Sequence, residues 1–323
     1  MTTFFWIIAG IALVGVTVFS AFTYRSAKTL VRIALERDFV TDTPENEEHK
    51  NQMRGFAESP AYKEGLLRGK AYLEGVETES ITVEGFDGTK LFARYLPAEN
   101  PERIIIAMHG WRSAWWKDFG LIAKFWHEQN CSILFCDQRA QGNSEGGYMG
   151  FGLLERYDCA RWVELMHKRA PALPLYLAGV SMGGATVLMA SSLGIEDRVC
   201  GIIADCAFTS PHAIWKHVVE SNFHVSYGII GRVACRICKK TIGYKSHDFS
   251  TAFAMKQNKI PVLFVHGESD HFVPIQMTYE SYEACQAEKR LLTVPDADHA
   301  MSYFIGKKEY ETALLDFFRD FDP

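Results

Sequence analysis

A series of short apolar runs, separated by longer segments with apolar residues at three- and four-residue spacing, constrains the fold most strongly. The runs have the length and composition of strands that are buried on both faces of a parallel sheet. They are Arg103–Met108, Ser132–Cys136, Leu175–Gly179, Gly201–Ala204, Pro261–Val265 and Arg290–Val294. The predicted helices between or after them are Phe119–Gln129, Leu153–Lys168, Gly183–Leu193, Gln276–Ala287 and Met301–Phe321. This alternation predicts an α/β protein with a mostly parallel sheet that helices cover on both faces.

The composition excludes several classes of protein. Of 323 residues, 48% are hydrophobic and 23% are charged, close to the averages of globular proteins and unlike those of disordered or collagenous chains. The net charge of −5 gives no general basic field, so we expect no nucleic-acid partner. The 8 cysteines lie mostly in apolar runs typical of a core rather than of a disulfide framework. Cys235 and Cys238 form a C-x-x-C pair, but no second pair completes a zinc site, and we expect no metal.

The N-terminal region predicts a membrane anchor. Residues Phe4 to Phe22 include no charged residue, and a helix of this length spans roughly 28 Å, about one hydrocarbon core. A cleaved signal peptide is the alternative, but no Lys or Arg precedes the stretch and Ser20-Ala21-Phe22 is a poor cleavage site. We therefore predict a transmembrane anchor over residues 1–24. The basic residues that follow it are Arg25, Lys28, Arg32 and Arg37. The positive-inside rule then predicts a single-pass protein of the cell membrane with a cytoplasmic C-terminal part.

Two further segments organise the rest of the chain. The polar, acidic stretch from Thr41 to Arg54 predicts a juxtamembrane linker over residues 25–57, followed by one domain over residues 58–323. Between the strands that end near Ala204 and start at Pro261 lies a long excursion, which predicts a helical lid over residues 209–258.

The predicted lid is locally basic. Its predicted helices are His212–Val219 and Val225–Lys240, and its cations are Arg232, Arg236, Lys239, Lys240 and Lys245. Such a pattern is typical of a solvated helix face and equally of contact with anionic lipid headgroups.

The motif Gly179-Val180-Ser181-Met182-Gly183 lies where a predicted strand gives way to a helix. A tight turn at this point forces the serine into a strained conformation with its hydroxyl above the sheet, and larger residues than glycine would clash beside it. The N-terminus of the new helix also favours negative charge on a nearby oxygen. The context therefore predicts that Ser181 is a nucleophile.

With this motif the chain resembles the α/β-hydrolase superfamily, over roughly Ser80 to Phe318. His109-Gly110-Trp111 resembles its oxyanion loop, and Asp137–Ser144 resembles its D-x-R-G-x-G-x-S loop, with Ala140 and Gln141 in place of the commoner Gly and His. His266–Asp270 resembles the loop that carries the catalytic acid, and His299 resembles the base. The motifs GVSMGG and FGLLERYD, with the N-terminal span, are similar to membrane-anchored bacterial serine hydrolases of the serine-aminopeptidase-like and lysophospholipase-like group.

The resemblance implies a Ser-His-Asp triad in the expected chain order, Ser181, Asp270 and His299. His299 would accept the proton of Ser181, and Asp270 would orient the imidazole. The backbone N–H groups of Trp111 and Met182 would bind the oxyanion. This chemistry needs no metal and no organic cofactor.

Other residues compete for these roles. Asp205 also ends a predicted strand and is a second candidate for the acid, although Asp270 lies in the loop that matches better. His271 is the rival base, but it directly follows Asp270, which makes a productive geometry unfavourable. His109 and His266 precede glycines at strand ends and are typical of structural histidines that hold their loops.

The predicted substrate is a small-molecule or lipid-derived acyl ester, cleaved by an esterase or lipase-like serine hydrolase. Aromatic residues indicate an apolar acyl or aryl group, and the candidate contacts are Trp115, Trp116, Trp215 and Tyr227. Packing of Trp115 and Trp116 onto the following helix is an equally good interpretation. A peptidase or thioesterase uses the same triad, and a membrane-tethered, non-catalytic scaffold is the alternative of a different class.

Overall fold

The computed structural model describes residues 2–37 and 59–323, and these residues form an eight-stranded sheet. Its strands are β1 (Glu79–Glu84), β2 (Lys90–Leu96), β3 (Arg103–Met108), β4 (Cys131–Asp137), β5 (Leu175–Val180), β6 (Val199–Asp205), β7 (Val262–Gly267) and β8 (Lys289–Val294). Their spatial order is β1-β2-β4-β3-β5-β6-β7-β8. Strand β2 pairs antiparallel with β1 and β4, and the other neighbours pair parallel. The mostly parallel sheet predicted from the sequence is confirmed.

Helices cover both faces of the sheet, as predicted. They are α1 (Thr2–Leu35), α2 (Pro60–Gly75), α3 (Trp115–Glu128), α4 (Glu155–Arg169), α5 (Met182–Ala190), α6 (Pro211–Phe223), α7 (Tyr227–Ile242), α8 (Thr251–Met255), α9 (Gln276–Ala284), α10 (Ser302–Ile305) and α11 (Lys307–Phe321). Alternate residues of β3 point to opposite faces: Ile104 and Ile106 pack with α4 and α5, whereas Ile105 and Ala107 pack with α3 and α11.

The predicted helix from Met301 to Phe321 is divided into α10 and α11 at Gly306. A Cβ atom on Gly306 would lie 2.8 Å from Val294 Cγ1, so only glycine lets the chain pass this close to the end of β8.

Helix α1 extends past the predicted end of the anchor at residue 24, to Leu35. The side chains of residues 4–22 are mostly exposed, whereas Ala27, Val31 and Leu35 are buried against the domain. Their four-residue spacing places them on one face of the helix, and the basic residues of the same segment lie on other faces. This apolar face explains why the helix continues into the first part of the predicted linker. Among the described residues one helix, Phe4–Leu35, is long and apolar enough to cross a membrane. Residues 38–58 of the predicted linker lie outside the described residues.

The stretch predicted as a lid contains α6, α7 and α8. The buried side chains of α6 and α7 form one apolar cluster with the C-terminal part of α1 and with Met182, the residue after the serine of the Gly-x-Ser-x-Gly motif. The end of α1 and the inserted helices therefore lie on the same side of the sheet as that serine.

Candidate active site

Ser181 lies in the sharp turn between β5 and α5. Its φ of 54° and ψ of −113° fall in a region that non-glycine residues rarely adopt. The Ser181 N–H donates to the carbonyl oxygen of Asp205 at 2.9 Å, which ties the turn to the end of β6. A Cβ atom on Gly183 would lie 1.8 Å from the carbonyl oxygen of Met108, so this glycine is required by the close approach of α5 to β3.

Three side chains meet at this turn. His299 Nε2 lies 3.0 Å from Ser181 Oγ, and His299 Nδ1 lies 2.7 Å from Asp270 Oδ2. The other oxygen of Asp270, Oδ1, accepts the backbone N–H groups of Phe272 and Val273 at 2.9 and 2.8 Å. With Nδ1 donating to the carboxylate, Nε2 is free to accept the proton of the serine hydroxyl. The structure thus brings together the three residues predicted as a triad.

The electrostatics favour a charged carboxylate next to the imidazole. Burial alone would raise the pKa of Asp270, but the His299 charge and hydrogen bonds from His266 and His299 outweigh it and hold that pKa well below its usual range. Burial opposes protonation of His299, and the Asp270 charge overcomes this and raises the pKa of His299 above its usual 6.5. An imidazolium formed during a reaction is therefore stabilised.

Cys206 is a buried neighbour of the imidazole that the sequence did not indicate. Its Sγ lies within 4.8 Å of ligand atoms of Asp270 and His299, a grouping of residue types that can bind a metal. Burial raises the pKa of Cys206 to about 12, so the sulfur is a neutral thiol at neutral pH. The side chains of Asp270 and His299 are hydrogen-bonded to each other at 2.7 Å. The arrangement suits proton transfer better than metal binding.

The loop after β3 lies directly beside the serine. A Cβ atom on Gly110 would stand 3.5 Å from Ser181 Cβ. The carboxylate of Asp118 holds this loop by accepting the Gly110 N–H at 2.6 Å and the hydroxyl of Ser113 at 2.5 Å. The loop is thereby fixed from the side of α3.

The two predicted oxyanion donors are available. In the described part of the chain, neither the Trp111 N–H nor the Met182 N–H donates to a protein acceptor. Met182 is the first residue of α5, where backbone N–H groups have no partner within the helix. Their places on either side of Ser181 suit donors to an oxygen of a bound acyl group.

The end of α1 holds the same loop from the other side. The indole Nε1 of Trp111 donates to the carbonyl oxygen of Ala34 at 2.9 Å. Arg112, with a φ of 49°, turns its guanidinium toward the end of the helix. Its acceptors are the carbonyl oxygens of Ile33 at 3.0 Å, Glu36 at 2.5 Å and Arg37 at 3.0 Å. Sequence analysis missed this contact, because no local pattern links an N-terminal helix to a loop after β3.

The predicted aromatic contacts separate into two groups. Trp215 and Tyr227 are buried in the apolar cluster that contains Met182, and Phe151 packs between the rings of Trp215 and Trp111 at 5.7 and 6.0 Å. Phe151 belongs to the FGLLERYD motif, and no role was predicted for it. These rings form a buried apolar cluster with Met182, the residue after the serine.

Trp115 and Trp116 lie outside this cluster, and of the two interpretations of these residues their packing favours contact with the following helix. They pack against the core cluster of α2, α3 and α11, and the ring of Trp115 lies 5.2 Å from Phe135. Helix α3 begins at Trp115, and this start turns both rings away from the oxyanion loop.

The competing residues have other partners. Asp205 accepts the hydroxyl of Ser302 at 3.0 Å, so it fixes the segment after His299. The side chain of His271 is 85% exposed and lies near Asp298. His266 lies 2.7 Å from Thr278 Oγ1, 2.9 Å from the Val273 carbonyl oxygen and 3.2 Å from Asp270 Oδ2, the position of a structural histidine that also contacts the acid.

The loop after β4 carries the two departures from the superfamily pattern and contacts the start of the oxyanion loop. Ala140 takes the position of the commoner glycine with a φ of 56°. Gln138 donates from Nε2 to the carbonyl oxygen of His109 and from its backbone N–H to His109 Nε2 at 3.2 Å. The loop therefore supports the start of the oxyanion loop.

Comparisons with known proteins agree with this geometry. A family model described as serine aminopeptidase, S33 (Hydrolase_4) matches residues 99–248. The uncharacterized protein YqkD of Bacillus subtilis is 26% identical over 187 residues, 58% of this chain and 61% of its own length, so the match spans about three fifths of that relative. The uncharacterized protein YfhR of Salmonella typhi is 29% identical over 258 residues, 75% of this chain and 81% of its own.

Solved structures show the same fold. An esterase of Pyrococcus furiosus superposes with a TM-score of 0.62 at 18% identity, covering 77% of this chain and 92% of its own. The acylaminoacyl peptidase of Pyrococcus horikoshii gives a TM-score of 0.56 at 15% identity, covering 78% of this chain and 43% of its own. With its sheet order, its serine turn and these matches, the chain has the α/β-hydrolase fold.

Proposed function

We propose that this protein is a serine hydrolase that cleaves carboxylic ester bonds through an acyl-enzyme, with Ser181 as nucleophile. The observation that carries the proposal is the continuous contact from Ser181 Oγ to His299 at 3.0 Å and from His299 to Asp270 at 2.7 Å, at a strained strand-to-helix turn. The family match and the hydrolase neighbours support hydrolytic chemistry.

The proposed reaction has two halves. Ser181 Oγ attacks the acyl carbonyl carbon while His299 Nε2 takes the hydroxyl proton, and Asp270 stabilises the imidazolium. The Trp111 and Met182 N–H groups donate to the oxyanion, and such a donor is typically worth about 10²–10³ in rate. His299 then gives its proton to the departing alcohol. Water, deprotonated by the same nitrogen, attacks the acyl-enzyme, the bond to Ser181 Oγ breaks, and His299 returns its proton to that oxygen as the acid leaves.

The surroundings favour an apolar acyl group. Ser181 is only 7% exposed, and Phe151, Trp215 and Met182 form the nearby apolar cluster with α1. An apolar helix that ends in this cluster supports a substrate that partitions into membranes, such as a lipid-derived ester. The basic residues after the apolar stretch support a cytoplasmic position of the domain.

A peptidase is the second candidate, because the matching family model is described as a serine aminopeptidase and a neighbouring structure is an acylaminoacyl peptidase. Both reactions use the same triad, so the leaving group discriminates between them.

The test compares full-length protein in detergent on p-nitrophenyl esters from acetate to palmitate and on aminoacyl-p-nitroanilides. We expect ester hydrolysis that increases with acyl length up to an optimum and falls by at least about 10³-fold in Ser181→Ala. His271→Ala, which alters an exposed histidine, is the matched control and should keep the wild-type rate. Faster turnover of anilides would establish the peptidase. Unchanged ester hydrolysis in Ser181→Ala would overturn the assignment of the nucleophile.

A further inference from the structure

Helix α7 carries a concentration of positive charge that the proposed reaction does not use. Its cations are Arg232, Arg236, Lys239 and Lys240, all exposed, and it has no acidic residue, in a chain whose net charge is −5. Within residues 2–37 and 59–323, none of these four side chains forms an ion pair or a hydrogen bond. Their charge is available for an external anion.

A groove of about 510 Å³ runs between α7 and α1. The α1 side is formed by Phe19, Ser20, Thr23 and Tyr24, and the α7 side by Ile229, Val233, Arg236, Ile237 and Lys240. The α1 residues lie where the uncharged stretch ends, so a membrane spanned by α1 has its lipid–water interface at the level of this groove. The groove combines apolar walls with two cations, as a lipid headgroup with its upper acyl chains requires.

The adjacent face of α7 borders a second, larger pocket of about 640 Å³. Cations from three segments line it: Lys216 of α6, Arg232 and Arg236 of α7, and Lys245. Glu220 is the acidic residue among its lining residues, and its Oε1 faces the backbone N–H of Tyr227 at 3.3 Å.

Two further observations show that this pocket is suited to an anion. The hydroxyl of Tyr227 is buried without a hydrogen-bond partner in the described structure, although the residue lines the pocket. Burial lowers the pKa of His212, and the charges of His247 and Lys216 lower it further, as expected where positive groups converge.

We propose that the groove and the pocket, which share Arg236, bind the phosphate of an anionic membrane phospholipid. Arg236 and Lys240 contact the phosphate, and the upper acyl chains lie along Phe19, Ile229 and Val233. Arginine suits this role because its planar guanidinium matches phosphate oxygens. The site places α7 at the membrane surface beside the serine cluster. The proposal rests on α1 spanning a membrane and is independent of which bond Ser181 cleaves.

The test measures binding of fluorescent phosphatidylglycerol to the full chain in dodecylmaltoside micelles, with fluorescent phosphatidylcholine as the neutral comparison. Each cation near an anionic lipid strengthens binding by roughly fivefold. We therefore expect the double variant Arg236→Gln/Lys240→Gln to bind phosphatidylglycerol about 25-fold more weakly, near the level of phosphatidylcholine. Lys308→Gln removes an exposed cation on α11 and should bind like wild type. Thermal unfolding confirms that each variant is folded.

Two results would overturn the proposal: equal affinity for the two lipids, or wild-type affinity in the double variant. Competition with inorganic phosphate separates the possible sources of the anion. Displacement of the lipid at equal concentration would assign the site to free phosphate, whereas a requirement for a large excess supports the lipid. Alkaline extraction of membranes tests the α1 span separately, so its failure is distinguishable from failure of the headgroup site.

Discussion

The contact between Arg112 and the end of α1 predicts that the helix helps to fix the oxyanion loop. In Arg112→Ala, three hydrogen bonds to carbonyl oxygens at 3.0, 2.5 and 3.0 Å are lost. Hydrogen bonds that involve a charged partner contribute about 1.5–3 kcal/mol each. The three hydrogen bonds share one side chain, and water replaces part of them in the variant. We therefore assign about 2 kcal/mol to their combined contribution to holding the loop. That value corresponds to roughly 30-fold in an equilibrium between held and displaced loop.

The expected effect is on kcat. The Trp111 N–H, next to Arg112, would donate to an oxyanion that forms only after the serine attacks. Displacement of the loop therefore reduces stabilisation of the transition state more than it reduces the affinity for substrate. We expect kcat for a p-nitrophenyl ester to fall by about 10- to 30-fold in Arg112→Ala, with KM changed less than about twofold. Arg112→Lys keeps one charged donor and should give an intermediate kcat.

The assay uses full-length protein in detergent, with thermal unfolding to show that the variants are folded. Lys28→Ala alters an exposed cation on the same helix and is the matched control. Binding of a boronic acid, which mimics the tetrahedral adduct on Ser181, should weaken by the same factor as kcat. A folded Arg112→Ala variant with wild-type kcat, or one that changes only KM, would refute the idea that α1 positions the loop.

Two further variants test the site and the turn. His299 must be neutral to accept a proton, and Asp270 raises its pKa, so activity should fall with decreasing pH at a midpoint above 6.5. Asp270→Asn should shift that midpoint to lower pH and reduce kcat by about 10⁴. A midpoint below 6.5 in the wild-type protein would contradict the claim that the Asp270 charge raises the pKa of His299. Gly183→Ala would place a Cβ atom 1.8 Å from a backbone oxygen and should prevent stable folding. Gly147→Ala is the control, because its Cβ would have no atom within 4 Å, and its thermal unfolding midpoint should lie within a few degrees of wild type. Equal unfolding midpoints for the two variants would exclude the steric argument.

The sequence predicted the sheet because each buried strand leaves a local mark. Apart from Arg103, the runs at Arg103–Met108 and Leu175–Gly179 are apolar since both faces of these strands are covered, and they coincide with β3 and most of β5. The assignment of Ser181, Asp270 and His299 came from the resemblance to a known superfamily, and the structure agrees with it, since each of the three residues follows a strand at the same edge of the sheet. The structure places these side chains in contact, and their catalytic role stays a prediction.

Contacts between distant segments left no such mark. The linker was predicted from the polar, acidic composition of Thr41 to Arg54, and the residues before that stretch continue α1, where Val31 and Leu35 pack on the domain at helical spacing. Trp116 lies close to the oxyanion loop along the chain, but the start of α3 turns it toward the opposite side of the sheet. Neither contact can be inferred from neighbours in sequence.

Covalent labelling with a fluorophosphonate tests the nucleophilic role of Ser181 most directly. The hydroxyl, 3.0 Å from His299 Nε2, should attack phosphorus, and peptide mass analysis of the full-length protein should locate the adduct on Ser181. We expect stoichiometric labelling of wild type and none of Ser181→Ala. Labelling at another residue, or unreactive wild-type protein that is folded and solubilised, would contradict an activated serine at this turn.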